Sequence, residues 1–311
     1  MNHRLAIVLA AFKPTYLRQA VESVLSQTSR DFNLYIFDDA SPHNLRDELH
    51  GLPEAINSYH RFDENVGATS IVQQWRRCIS HTNNEPWIWI FSDDDLMDKN
   101  CVESFFDELN GSPNHPAYRF NTRKIDAHDS VIRKNHFPEQ FDAAEFLNLK
   151  LSYKEESYIV ETIFSRSAYQ KVGGIPDLPY AWAADDLFNA KIADLGTIRT
   201  IPGAMVSWRF SDENISGKKS ASGALDKIKA SQNFVHWINT HNHIQENLKP
   251  ADLPALWYLR QIKNFGSNLS FFEELRAITA MRRSNPTLVK HYLNMKVNQN
   301  RITRWLKKFL L

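Results

Sequence analysis

Trp87-Ile88-Trp89-Ile90-Phe91-Ser92-Asp93-Asp94-Asp95 is a run of five bulky apolar residues that ends in three adjacent carboxylates. Aromatic and β-branched side chains fill the run with no polar residue between them, which is the composition of a strand buried on both faces. The acids then stand at its carboxyl end, where open α/β sheets bind their ligands. Three neighbouring acids repel one another at neutral pH. A divalent cation held by one or two of them, with substrate phosphates completing its shell, relieves that repulsion. The alternative is an Asp-rich turn that caps a helix beginning near Met97; a cap needs one acid, and this segment supplies three.

Upstream of this strand, Leu5 to Ala10 reads as a first buried strand. Tyr16 to Gln27 carries Leu17, Val21, Val24 and Leu25 near helical spacing, and Phe32 to Phe37 makes a second strand ending in Asp38-Asp39. Tyr59 to Phe62 and Ala68 to Ser80 read as strand and helix. Such alternation predicts a parallel sheet with helices on both faces, and right-handed crossovers bring both acidic strand ends to one edge. From Ser112 to Lys150 the period is lost, apart from a hairpin around His128-Asp129-Ser130 and a helix from Asp142. Val172-Gly173-Gly174-Ile175-Pro176 is a turn cluster, Ala183 to Leu195 a helix, Ile198 to Val206 a strand, and the chain is helical in pattern from about Gly223.

The 311 residues, 42% of them hydrophobic, suffice for a large core, and the net charge of +1 gives no argument for nucleic acid. Charge is uneven along the chain. After Glu274 come nine basic residues and no acid, leaving 28 basic against 36 acidic residues before that point. Arg301 to Leu311 places Ile302, Trp305, Leu306 and Phe309 at helical spacing with cations between them, which suits docking on an anionic membrane surface; a helix packed on the catalytic domain is the alternative. Two cysteines, Cys78 and Cys101, form neither a disulfide framework nor a zinc motif and read as buried apolar residues of a reducing compartment. The first strand starts too early to be a leader, and no apolar stretch reaches the roughly 20 residues that span a bilayer. A cytoplasmic protein is expected, peripheral on the inner face of the membrane if the tail docks. The histidines show no metal spacing. Neither G-x-G-x-x-G nor a Walker loop follows the first strand, so phosphate charge falls to metal and side chains.

Ala11-Phe12-Lys13-Pro14, Ser23 to Thr28, Asp38-Asp39-Ala40-Ser41, Glu64-Asn65-Val66-Gly67 and Phe91 to Asp95 follow one another in an order that resembles glycosyltransferase family 2. The resemblance covers residues 4 to 216. It implies a GT-A fold, a Rossmann-like nucleotide-binding mixed α/β sheet flanked by helices, over residues 1–216; residues 217–311 lie beyond the resemblance and read from their own pattern as a C-terminal helical extension with a basic amphipathic tail. It also implies that Asp93 and Asp95 hold Mn²⁺ or Mg²⁺ as a D-x-D motif. The nucleotide-sugar site then draws on Ala11, Phe12, Asn65, Gly67, Asp93 and Asp94, with Asp39 and then Asp38 on the nucleoside, unless that pair is an Asx turn. Trp208 to Ser216 resembles a segment that closes over the donor, where Arg209 either meets the diphosphate or packs beside Trp208.

Val172-Gly173-Gly174 followed by Ala183-Ala184-Asp185-Asp186-Leu187 and Gly196 resembles the acceptor loop and the helix of the catalytic base. Most members carry Glu-Asp here. Spacing back from Gly196 favours Asp185 as the base, whereas matching the pair to Glu-Asp favours Asp186. A second departure is Ile71-Val72-Gln73, where many relatives have Ala-Arg-Asn. Tyr180 and Trp182 present aromatic faces suited to an acceptor sugar, or else belong to the core. The implied reaction is an inverting transfer from a nucleoside-diphosphate sugar to a hydroxyl of a glycan or lipid-linked acceptor, as in bacterial surface-polysaccharide synthesis, with no nucleic-acid partner. A nucleotidyltransferase is disfavoured by the missing Gly-rich basic loop, and a non-catalytic sugar-nucleotide binding protein by the intact acids.

Overall fold

The apolar runs of the first hundred residues become neighbouring strands of one ten-stranded sheet flanked by helices. The structure, a computed structural model, describes residues 3–211, 221–265, 268–282 and 288–299. In chain order the strands are β1 (Leu5–Ala11), β2 (Phe32–Asp38), β3 (Tyr59–Arg61), β4 (Trp87–Ser92), β5 (Leu96–Met97), β6 (Ala117–Ile125), β7 (Val131–Asn135), β8 (Gln140–Phe141), β9 (Thr162–Ser165) and β10 (Ile198–Arg209). They lie side by side as β3-β2-β1-β4-β9-β6-β10-β5, with β7 on β6 and β8 on β10.

The sheet is mixed where alternation alone predicted a parallel one. β3, β2, β1 and β4 are parallel, but β9 runs antiparallel to both of its neighbours, β4 and β6. Two reversals restore the direction, so β6 and β10, which pair in parallel, point the same way as β4. β9 is only four residues long and lies in a stretch, between Lys150 and Val172, to which the sequence pattern assigns no element. Its Ile163 and Phe164 are fully buried. The carboxyl ends of β1, β2, β4, β6 and β10 therefore share one edge. Register confirms it at the strand ends, with Ala11 opposite Asp38 and Ala10 opposite Ser92.

β4 is buried on both faces as its composition requires: Ile88, Trp89, Ile90 and Phe91 expose no surface, and the Trp89 indole N–H donates to the Val160 carbonyl at 2.6 Å. Beyond the acids the chain does not enter a helix near Met97. Leu96 and Met97 pair antiparallel with Ser207 and Val206, and the helix begins only at Cys101, with Asn100 at its N-cap and no side-chain cap bond. Extended pairing wins here because Asp98 is fixed to β6 and β10, accepting from Arg123 at 2.9 and 2.6 Å and from the Met205 N–H at 3.0 Å. The hairpin around His128-Asp129-Ser130 joins β6 to β7, and Asp142 opens the helix Ala143–Leu151 with a reciprocal capping box to Glu145.

The C-terminal region is helical, with Ala221–Asn239, Asn242–Gln245, Leu253–Phe265, Phe271–Met281 and Leu288–Gln299. Phe234, Val235, Tyr258 and Ile262 belong to the same continuous core as the sheet. The boundary at residues 216/217 and the basic tail from Arg301 lie outside the described residues. Among the described residues no helix is long and apolar enough to cross a membrane. Both cysteines are free and buried.

Among the described residues one ion pair lies wholly inside. Arg119 of β6 meets Glu161 at 3.0 Å with at most 1% of either side chain exposed, and Glu161 also accepts from the Ser157 hydroxyl and the Tyr158 N–H. Breaking such a pair leaves a buried charge without its partner. Arg119→Met is expected to lower stability by about 3–5 kcal/mol in urea unfolding, and Arg119→Met with Glu161→Gln to recover at least half of that loss.

Candidate active site

At the end of β4 the three aspartates have separate surroundings. Asp93 Oδ2 accepts from the Phe12 and Lys13 N–H groups at 2.7 Å each, which binds β4 to the loop after β1. Burial pushes its carboxyl up to about 6, against the pull of Lys13 and with the push of Asp94. Asp94 pairs with the Lys13 ammonium. Asp95 Oδ1 accepts from the Arg209 N–H at 2.8 Å, while its Oδ2 is buried and accepts no hydrogen bond among the described residues. Burial, then the charge of Asp94, raises Asp95 well above the usual carboxylate range. None of the three caps the following helix. A buried carboxylate oxygen without a donor fits a cation, and among the described residues no three His, Cys, Asp or Glu side chains are grouped to hold an ion alone. An ion on Asp95 would take the rest of its shell from a ligand or water.

Asp38 and Asp39, one strand away, divide their work. Asp38 is fully buried and turns inward: its Oδ1 accepts from the Ser41 N–H at 2.7 Å, and its Oδ2 from Tyr59 and from Arg61 at 2.6 Å. This is the Asx-turn alternative, realised at Asp38 alone. Asp39 faces the Asn65–Gly67 turn, accepting from the Val66 N–H at 3.1 Å, the Gly67 N–H at 2.7 Å and the Arg77 guanidinium. A Cβ on Gly67 would stand 2.5 Å from Asp39 Oδ2, which explains a glycine there without invoking its backbone freedom. Burial raises the Asp39 carboxyl, opposed by those two N–H groups and by Arg77. The Asn65 side chain closes its own turn by accepting from the Ala68 N–H at 2.8 Å. Ala11 is buried at the end of β1, and Phe12 is exposed just beyond it.

Asp185 and Asp186 occupy the first turn of the helix Ala184–Leu195. The two acids differ sharply. Asp186 is buried and paired with Lys150 at 2.8 Å, and Lys150 also donates to the Ser157 carbonyl at 3.0 Å. Asp185 is partly exposed, and its Oδ1 accepts only from the Asp186 N–H at 2.9 Å. Burial and then the neighbouring Asp186 charge push Asp185 up to about 8, with Lys150 opposing. Asp185, Asp186 and Glu161 stand here against the two cations Lys150 and Arg119. One carboxyl is left without a cation of its own, and Asp185 is the one with access to solvent.

The loop before this helix is strained, since Tyr180 (φ 56°), Ala181 (φ 49°) and Ala183 (φ 59°) all adopt the left-handed region that side chains disfavour. Several contacts hold it. Arg76 donates to the Ile175 carbonyl, and Asp177 accepts from Ser70 and Gln73 at 2.7 Å each. Both sets of donors come from the helix Ile71–Ser80 and its cap, whose Arg77 reaches Asp39, so one helix ties the acceptor-side loop to the Asp39 turn. Tyr180 is exposed. Trp182 packs edge-on against Phe265 with ring centroids 5.2 Å apart, and its indole N–H is buried with no hydrogen-bond partner among the described residues.

Arg209 is fully buried at the end of β10. It donates to the carbonyls of Asp94 and Asp126, pairs with Asp129 at 2.6 Å and lies 4.1 Å over the Tyr16 ring. These contacts fasten the acidic turn to the β6–β7 hairpin. The segment expected to close over the donor continues into residues 212–216, which lie outside the described ones. Among the described residues, the cations Arg61, Arg77, Arg119 and Lys150 and the role of Lys13 escaped the sequence reading. Lys13 alone had a signal, a cation in the first loop opposite an acidic strand end.

The profile of glycosyl transferase family 2 matches residues 6–172. No curated protein matches the chain by sequence. Among solved structures it resembles S. aureus TarS 1–349 in complex with UDP-GlcNAc, at 12% identity and a TM-score of 0.71 over 93% of this chain and 83% of that one. It also resembles the mannosyltransferase PcManGT from Pyrobaculum calidifontis in complex with GDP-Man and Mn²⁺, at 13% identity and a TM-score of 0.58 over 98% and 83%. At such identities the likeness speaks for the fold, which is GT-A-like, a mixed α/β sheet with flanking helices. The family rests on the profile, which spans more than half of the chain and includes β1, the Asp38-Asp39 turn and the acidic end of β4: the chain belongs to glycosyl transferase family 2 and is a glycosyltransferase.

Proposed function

We propose that the chain transfers a sugar from a nucleoside-diphosphate sugar to a glycan hydroxyl, with a divalent cation at the donor and inversion at the anomeric carbon. The observation that carries this reading is the buried Asp95 Oδ2, which has no donor among the described residues, at the carboxyl edge of the sheet. UDP-GlcNAc in the TarS complex and GDP-Man with Mn²⁺ in the PcManGT complex support the same class of donor. Mn²⁺ or Mg²⁺ would be held by Asp95, with Asp93 beside it, and would offset charge growing on the departing diphosphate. Asp39, through the Asn65–Gly67 turn and Arg77, shapes the nucleoside side of the pocket. Arg209 acts here as a positioning residue, holding the acidic turn by its main chain.

Asp185 is assigned as the base. A carboxyl near 8 is a strong proton acceptor close to working pH, and the Lys150 pair keeps Asp186 occupied. Asp185 takes the acceptor proton as the hydroxyl attacks the face opposite the leaving group, which makes a single displacement. Tyr180, exposed on the strained loop, offers its ring to the acceptor sugar, and Trp182 supports the loop from behind. Residues 1–216 would form the catalytic unit and 217–311 its helical extension. The basic residues after Glu274 favour a lipid-linked acceptor met at the cytoplasmic membrane surface.

Nucleotide release from a panel of UDP-, GDP- and dTDP-sugars with Mn²⁺ and acceptor tests the reading. Asp95→Ala is expected to lose metal-dependent turnover while its melting curve stays cooperative. Asp185→Asn should lower kcat by about 10²–10⁴-fold with donor KM nearly unchanged, and Asp186→Asn should cost less. A reversed ranking of the two would overturn the assignment of the base.

The pH profile of kcat/KM gives a further check. Activity requires ionised Asp185, so it should rise with pH through a limb near 8. Removing the Asp186 charge lowers the Asp185 pKa and moves that limb to lower pH. Lys150→Met removes a cation, raises the pKa and moves it to higher pH. A limb unmoved by either substitution would place the titrating group elsewhere.

A further inference from the structure

The loop after β1 carries what is needed to bind phosphate: two adjacent N–H donors, on Phe12 and Lys13, and an ammonium. In the structure this equipment serves carboxylates. Both N–H groups donate to Asp93 Oδ2 at 2.7 Å, and Lys13 Nζ pairs with Asp94 Oδ2 and stands 3.5 Å from Asp93 Oδ1. One of these acids, Asp93, stands with Asp95 in the pair proposed to hold a divalent cation, and Asp94 lies between them. A cation already stands where the acids attract one.

The two kinds of contact differ in mobility. The N–H donors are part of the backbone of β1 and its turn and cannot leave Asp93 without moving the strand end. The ammonium sits on a flexible four-carbon stem, with 24% of the side chain exposed against 7% for Asp94, so it can swing while the backbone stays in place. Its strength as a point charge suits either a carboxylate or a phosphate oxygen.

We propose that Lys13 is a resident counter-cation that exchanges partners: without donor it neutralises Asp94 and Asp93, and on arrival of a diphosphate it passes to a phosphate oxygen and frees Asp93 to join Asp95 in holding the divalent cation. The inference rests on the donor-site reading above. It makes the anion and the cation bind cooperatively, because the group that blocks the cation is the group that welcomes the anion. Metal alone binds weakly for the same reason.

The test uses the full chain and two separate probes, Mn²⁺ alone, followed by the EPR signal of free ion, and inorganic pyrophosphate alone in EDTA, followed by calorimetry. Lys13→Met is expected to bind Mn²⁺ about tenfold more tightly than the parent, since a competing charge is gone, and pyrophosphate at least tenfold more weakly. Lys13→Gln, whose amide can still donate to Asp94, should show both changes if the Met variant does not fold. Lys13→Arg keeps the charge and should resemble the parent with both probes. A residue with a merely structural part would weaken both ligands together, and that result would overturn the proposal, as would Mn²⁺ binding equally to parent and variants. The latter outcome leaves the donor site standing. Absence of Mn²⁺ binding in every protein would sink the donor-site reading and this inference with it.

Discussion

Burying carboxylates is the constraint on which this molecule depends. Five aspartates at the carboxyl edge and two at the start of the helix Ala184–Leu195 are largely withdrawn from water, and each must find a donor, a cation or a proton. The sheet supplies the arrangement. Parallel β1, β2 and β4 deliver their ends to one place, and the double reversal through β9 returns β10 to the same edge, so that the Arg209 N–H meets Asp95.

Compensation is solved differently at the two ends of the site. At the end of β4, backbone N–H groups and Lys13 satisfy Asp93 and Asp94, and Asp95 keeps one oxygen without a hydrogen-bond partner among the described residues. That arrangement leaves room for an external charge. At the start of the helix Ala184–Leu195, the Lys150 pair holds Asp186, while burial and the Asp186 charge raise the Asp185 carboxyl. Two adjacent acids of the same type thus acquire unlike tasks from one lysine on another helix.

Much of the fold was legible along the chain. The Trp87–Phe91 run carried its own burial, the strand ends carried their acids, and Asp142 with Glu145 announced a helix start. The helix cap near Met97, the less favoured alternative for the acidic turn, is not realised: local composition allowed it, but Asp98 found partners on β6 and β10 that no local window contains. β9 was missed for a similar reason. Four residues are too few to show a period, and their strand character comes from β4 and β6 on either side. Arg77 and Lys150 lie 38 and 36 residues from the acids they serve, so nothing in their own segments distinguishes them from surface cations.

The sequence by itself determined the class of the fold, the family and the set of acids, because those follow from apolar runs, strand ends and short motifs that act over a few residues. Tertiary structure alone decided how the acids differ: Asp38 turned inward and Asp39 toward Gly67, Asp186 paired and Asp185 left to titrate, Arg209 bound into the frame. The reason is electrostatic. A carboxylate's state depends on the charges and donors within a few ångströms and on how much water has been removed, and folding sets both by bringing together distant parts of the chain.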